Sequence, residues 1–396
     1  MKYRFILIFS ILALNLFGQT KVVELTECLK KNSCDPKEYV LNLFKTNDII
    51  IIGERNHNDT TQYDLLLEIL SDKRFIEEVG HVYTEVGCEN RTEWTNTVLK
   101  ASYDTKAEFE KNLIRLYREL DCNPLWEKYN LYKYLKGIYN INKNLDEKKK
   151  ITIGLTDLAF DWGGMNRKKY QAFENISYAR YRSRDSIMAV NFIGQYEKQE
   201  PINGKRKALL IQSFPHAINM NLLPNGVKYK STGSYVVEKY RDNVKIVAFN
   251  SMYFGRYNSS DYSLVDDGRW DAAFKLTSCE PVGFDVAETP FGETEFEEAY
   301  GVSKKYQEIV DGIIFYEPFY EFRLTIGIPN VVDNEFSKEL VKRFAITEAS
   351  FFNRLGLRLL KFHFKKIYKN YYNNVRSFKR SKEEGLIEQM NKWIEK

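Results

Sequence analysis

A series of short runs rich in Ile and Val, separated by helical patterns, constrains this chain more than any other feature. The clearest are Asp48 to Gly53, His81 to Val86, Lys150 to Leu155, Ala208 to Phe214 and Val244 to Asn250, with a sixth from Gly312 to Tyr316. Their apolar residues run on continuously, which suits strands covered on both faces by helices. Strands alternating with helices predict an α/β fold with a mostly parallel central sheet. With 396 residues, 43% of them apolar, the chain can bury such a core, and general disorder is excluded. After the N-terminus no apolar run reaches about 18 residues, so a polytopic membrane protein is excluded as well.

The ends of the chain differ from its middle. Residues 1–19 place Lys2 and Arg4 before an apolar run from Phe5 to Phe17, then Gly18 and Gln19. This is the pattern of a secretory signal peptide, with an uncleaved anchor helix as the alternative, and it predicts an exported protein, periplasmic or secreted. Loss of Lys2 and Arg4 would take the net charge from +5 to +3, too little to indicate nucleic acid. An exported chain can carry disulfides, and Cys28 with Cys34 would close a short loop; no Cys spacing suggests a thiolate zinc site. The α/β domain is expected over 20–334. Residues 92–147 lack strand signals and read as a helical insertion, and 335–396 as a C-terminal helical region. Asp59, Thr60, Thr61 and Gln62 resemble a capping box that opens a helix with Leu65, Leu66, Ile69 and Leu70 inward.

In open α/β sheets, ligands bind where loops at the carboxyl ends of the strands converge. Here those ends supply Glu54 and His57 from the first strand, Glu85 from the second, Asp157 from the third and His216 from the fourth. Two of the chain's four histidines and three carboxylates thus share one rim. The alternative is that the carboxylates simply cap the helices that follow. Carboxylates beside imidazoles support two chemistries. A carboxylate can orient a neutral His to take a proton from water, or the same groups can hold a divalent metal whose bound water attacks. The residues alone leave both open.

These residues also carry a resemblance. Gly53-Glu54-Arg55-Asn56-His57, Glu85, Asp157 after Gly154, Arg184-Asp185-Ser186-Ile187-Met188-Ala189 and Pro215-His216, in this order across roughly residues 45 to 320, resemble the erythromycin esterase family. Its wider superfamily includes the ChaN-like haem-binding lipoproteins and the Tiki/TraB metalloproteases. The resemblance implies a hydrolase of an ester or related bond, with His57 as general base, Glu54 and Glu85 as its polarising partners, and His216 beside the developing oxyanion. Arg55, Asp157 and Arg184 become candidates for binding substrate; Arg184 is alternatively a partner for a carboxylate. The implied partner is a small molecule and no cofactor is required, with haem or a divalent metal belonging to the ChaN-like and Tiki-like alternatives. The chain departs from the family pattern at Asn58, where Gly is usual, and at Ser213, where a second His is common.

The other singled-out residues read as structural. His81 opens a strand, on the opposite rim. His363 lies in a basic, aromatic helix expected to pack one face and solvate the other, with a membrane-surface or partner-docking role as the alternative. Tyr83, Tyr253 and Tyr316 read as core residues, or alternatively as cavity lining or haem ligands.

Overall fold

A computed structural model describes residues 20–394 apart from 126–127, 179–183, 222–229, 255–261, 297–303, 349, 360 and 380–382. The N-terminal pattern read as a signal peptide lies outside the described residues.

The predicted apolar runs become β1 (Ile49–Glu54), β2 (His81–Cys88), β3 (Thr152–Asp157), β4 (Ala208–Ser213) and β5 (Val244–Phe249). Short strands follow: β6 (Met252–Phe254), β7 (Tyr262–Leu264), β8 (Val282–Asp285), β9 (Gly312–Phe315), β10 (Arg323–Ile326) and β11 (Arg376–Lys379). The central sheet has the order β3-β2-β4-β1-β5-β9-β8, parallel throughout except for β8, which runs antiparallel on β9. β6 pairs with β7 and β10 with β11, each pair antiparallel.

The continuous runs have a direct structural cause. Ile50 and Ile52 of β1 join one core with Leu209, Ile211, Val247 and Phe249, whereas Ile49 and Ile51 join the other with Ala208, Leu210 and Ile246. A strand's side chains alternate between faces, so a helical layer on both faces demands apolar residues at every position. All four of these isoleucines are fully buried, each worth roughly 1.5–3 kcal/mol. The first core is closed by the Pro36–Leu43 and Gln62–Ser71 helices, by helices between Thr92 and Asn142, and by the Phe336–Thr347 helix. The second is closed by the helix over 20–32 and by the Arg184–Lys198, Thr232–Tyr240 and Arg269–Leu276 helices.

The 92–147 segment does more than cover a face. The side chains of Asn96, Thr92 and Asn142 bond both the N–H and the C=O of Ile153, Leu155 and Ile151 respectively, so side chains take the place of a neighbouring strand along the exposed edge of β3. An edge left open would be a template for pairing with another chain.

Several expectations are revised. The capping box does not form. Asp59 accepts from the Thr61 hydroxyl at 2.9 Å, while Gln62 reaches back to the Arg55 amide and the Asn56 carbonyl, bracing the loop ahead of the helix. β2 runs two residues beyond Val86 through a register shift, with Gly87 at φ +112°. That backbone region favours glycine. Cys28 and Cys34 are not joined: Cys28 is buried on the 20–32 helix, and the Cys34 thiol donates to the Gly283 carbonyl at 3.8 Å. The C-terminal region is helical as expected, with one short strand added, β11, which pairs with β10.

Candidate active site

β1 lies between β4 and β5, and the chain leaves β1 first for β2 and β3 on one side and later for β5 on the other. This reversal of strand order is where open α/β sheets form a crevice at the carboxyl ends. In register, Glu54 of β1 sits opposite Ser213 of β4, and Thr84 of β2 opposite Ile211. Glu54, Glu85 and Ser213 therefore end at one level.

His57 lies between two carboxylates. Its Nδ1 is 2.5 Å from Glu54 Oε1 and its Nε2 3.0 Å from Glu85 Oε1; both carboxylates are buried, while the imidazole is 16% exposed. Each contact needs one proton, so the three groups share two protons between them. Glu85 Oε2 accepts from both the amide and the hydroxyl of Ser213, at 3.0 and 3.2 Å. Burial alone would raise the Glu85 carboxyl, but the His216 and His57 imidazoles and Arg184 hold it well below the usual carboxylate range. Glu54 Oε2 is buried without a hydrogen-bond partner, close enough to Tyr134 that its charge, added to burial, pushes that phenol well up.

The loop that presents His57 is pinned on every side. Asn130 from the helical insertion donates to the His57 carbonyl at 2.6 Å. The amide of Thr325 donates to the Asn58 carbonyl at 2.9 Å, and the amide of Thr60 to the Arg323 carbonyl at 2.8 Å. β10 thus joins the His57 loop to the C-terminal region.

A second cluster adjoins Glu85. His216 follows β4 on a single helical turn, with Nδ1 2.8 Å from Asp185 Oδ1 and Nε2 3.2 Å from Arg184 Nη1. Asp185 also accepts from the Thr232 amide and hydroxyl, at 2.8 and 3.0 Å. Gly233 allows this approach, because a Cβ there would meet the Ala217 carbonyl oxygen at 1.8 Å. Burial disfavours a charged His216, but the Glu85 charge and the Asp185 hydrogen bond outweigh it and raise its pKa. Arg184 clasps Asp157 through two bonds, Nε to Oδ1 at 3.0 Å and Nη2 to Oδ2 at 2.9 Å. Behind them, burial and the Asp157 charge push Asp121 up to about 7.

The predicted rim residues therefore form two neighbouring sets, Glu54, His57 and Glu85 in one and Asp157, Arg184 and His216 in the other, coupled through the charges of Glu85, His216 and Arg184. Arg55 is in neither. Its side chain is buried against Phe322, 3.8 Å from guanidinium to ring centroid, and pairs with Asp59 at 2.8 Å and Glu317 at 3.3 Å. Arg55 follows the end of β1, and its guanidinium is engaged by Asp59 and Glu317 and not by the carboxylates that flank His57. Asp157 and Arg184, read separately as substrate ligands, are partners of each other. Asp185, Ser213 and Asn130 were not predicted as site residues; Asp185 adjoins Arg184 in a motif already singled out, whereas Asn130 carries no signal in sequence.

His81 stands on the opposite rim, 2.5 Å from the Thr152 hydroxyl. Tyr83 is buried and donates to Gln199, and Tyr316 donates to Glu68. Tyr253 lies in β6; its side chain is outside the described residues.

Glu54, His57 and Glu85 each place a ligand atom within 4.8 Å of the others, a set that fits a divalent metal by donor chemistry, with the unpartnered Glu54 Oε2 available to it.

No family model matches this chain, and no curated protein matches it. Among solved structures, it is similar to a succinoglycan biosynthesis protein, with a TM-score of 0.51 at 10% identity over 76% of this chain and 97% of that one. A protein from Bacillus cereus aligns at a TM-score of 0.49 and 13% identity, over 74% and 96% of the two chains. An erythromycin esterase mutant in its open conformation aligns at 0.47 and 12%, over 70% and 92%. At these identities the likeness is one of fold.

Proposed function

We propose that this protein is a hydrolase of the erythromycin esterase type, using His57 to activate water against an ester or related bond of a small molecule. The observation that carries this reading is the His57 imidazole held between Glu54 and Glu85 at the strand-order reversal, with His216 and Arg184 near enough for their charges to act on Glu85. The order of the sequence motifs supports it independently.

A base needs a free lone pair, and the two ring nitrogens offer unequal routes to one. Nδ1 makes the shorter contact, to Glu54 three residues away and fully buried. Nε2 makes the longer one, to a carboxylate already held by Ser213. Nε2 is therefore the edge that serves as base: once its own proton has passed to solvent, water takes the place of Glu85 there and gives a proton to the exposed lone pair, with Glu54 holding Nδ1–H and fixing the tautomer. His216 completes the step. Arg184 Nη1 donates to Nε2 of the neutral imidazole at 3.2 Å; on protonation Nε2 becomes a donor, that contact is given up, and both N–H groups turn their positive charge toward the tetrahedral oxyanion. The N-terminal pattern over 1–19 supports an exported enzyme.

The test is hydrolysis of p-nitrophenyl acetate and a panel of small-molecule esters by the full chain and by His57→Ala. Loss of turnover in a variant that keeps its circular dichroism spectrum is the expected result, and undiminished turnover overturns the mechanism.

A second reading is a metal-dependent hydrolase, favoured by the three-ligand set and the orphaned Glu54 oxygen. A divalent ion held by Glu54, His57 and Glu85 would supply a more acidic water and polarise the scissile carbonyl. His57 would then orient as a ligand. Elemental analysis, with turnover before and after chelation, separates the two readings.

A further inference from the structure

Exposed apolar side chains gather in the C-terminal region. Of the large apolar side chains that stand well exposed among the described residues, six of nine fall between 355 and 378: Leu355, Leu359, Ile367, Tyr371, Val375 and Phe378, from 39% to 71% exposed. Scattered exposed apolar residues are ordinary, but concentration in one short segment marks an interaction surface. The Lys361–Asn373 helix already has a packed face, through Tyr368 and Tyr372, whose rings lie 4.7 and 6.1 Å from Phe344. Ile367 and Tyr371, one turn apart, belong to its outer face, and the Arg376 guanidinium lies 5.1 Å from the Tyr371 ring.

Charge supplies the second, independent observation. From residue 349 to 382 the sequence contains ten Lys and Arg and no Asp or Glu. Subtracting these ten from the whole-chain charge of +5 leaves −5 on all other residues, so one segment reverses the sign of the protein. Some neutralisation comes from outside it, as where Lys379 pairs with Glu321 at 3.2 Å. Exposed Lys366 and Lys369 flank Ile367 on the helix.

We propose that the 354–379 surface docks on a bilayer containing anionic phospholipid. Cationic side chains meet the headgroups while Leu, Ile, Tyr, Val and Phe side chains enter the interfacial layer, a combination that distinguishes a lipid surface from nucleic acid, which offers no apolar layer to enter. Among the described residues no helix is long and apolar enough to cross a membrane. The association is thus one of surface contact.

The experiment is co-sedimentation of the full chain with vesicles of phosphatidylcholine alone and of phosphatidylcholine mixed with phosphatidylglycerol. The wild-type chain is expected to pellet with the anionic vesicles only. Reversing three charges, Lys366→Glu, Lys369→Glu and Arg376→Glu, should lower the partition by roughly a hundredfold or more. Removing the apolar pair, Ile367→Ser with Tyr371→Ser, should lower it by roughly tenfold or more at unchanged charge. Thermal melts matching wild type show that both variants fold. Absence of binding to anionic vesicles, or equal binding by wild type and either variant, overturns the proposal. So does an apolar variant that still binds vesicles fully while all three proteins follow their charge on a heparin column, since that is polyanion binding.

Discussion

The two rims of the central sheet treat the same residue in opposite ways. At the carboxyl rim, His216 is partly buried and its pKa is raised; at the amino rim, His81 is also partly buried and its pKa is lowered to about 4. Burial pushes both the same way, against charge. His216 faces the Glu85 charge and bonds Asp185, whereas His81 finds the Thr152 hydroxyl and the Glu200 backbone, with the Lys100 charge adding to its depression. Partner charge, more than depth, decides whether a histidine of this protein carries a proton. The carboxyl rim sets anionic partners around its histidines, whereas none of the groups that shift His81 on the amino rim is anionic.

The comparison breaks most sharply at His57. If the proposed hydrolysis holds, His57→Ala should lower kcat/KM by roughly 10²–10⁴-fold on any ester the protein turns over, while His81→Gln leaves it unchanged. Comparable losses in both variants would erase the distinction between the rims.

Glu85→Gln tests its electrostatic basis. Without that negative charge, Asp185 alone opposes burial and Arg184, and the pKa of His216 should fall, as read from its imidazole proton shifts by NMR. An unmoved His216 would mean that Glu85 does not govern it. Turnover should fall as well, because His57 loses one of its two partners.

The pH dependence of stability should differ in sign between the rims. For His216 the folded pKa lies above the unfolded value, so its contribution is complete below about 6.5 and lost as pH rises through the raised value. For His81 the folded pKa of about 4 lies below the unfolded 6.5, so the unfolded state binds the extra proton between them. Stability is then lost as pH falls from 6.5 to about 4, by at most about 3 kcal/mol. Urea midpoints across this window should drop less for His81→Gln than for wild type; parallel curves would count against a neutral buried His81.

The smallest effect is expected from Asp185→Asn, which removes one of the two anionic groups acting on His216 but leaves Glu85. Its pKa should fall by less than in Glu85→Gln, and a larger fall would reverse the order of the two partners.

Much of this site could be read from the chain. Glu54, Glu85 and His216 follow apolar runs whose ends a parallel sheet must align, and Arg184 sits in a motif of its own. The destination of Arg55 could not be read, because its partners Phe322 and Glu317 lie more than two hundred residues away and reach it through folding alone. β8 escaped for a different reason: four residues, Val282–Asp285, with an exposed Asp, give too short a pattern to separate from a turn. The Cys28 and Cys34 pairing failed because sequence proximity says nothing about a helix that turns one thiol into the core.

By itself, the sequence determined the layered α/β architecture and the rim on which the candidate site lies. Both follow from local rules: side-chain alternation along a strand, and the position of a residue after its end. Only the tertiary structure decided that His57 lies between two carboxylates, that Asp157 and Arg184 clasp each other, and that Ser213 holds Glu85. Those depend on register between β1, β2 and β4 and on the loops that β10 and Asn130 pin, contacts set by distances of a few ångströms that no single segment encodes.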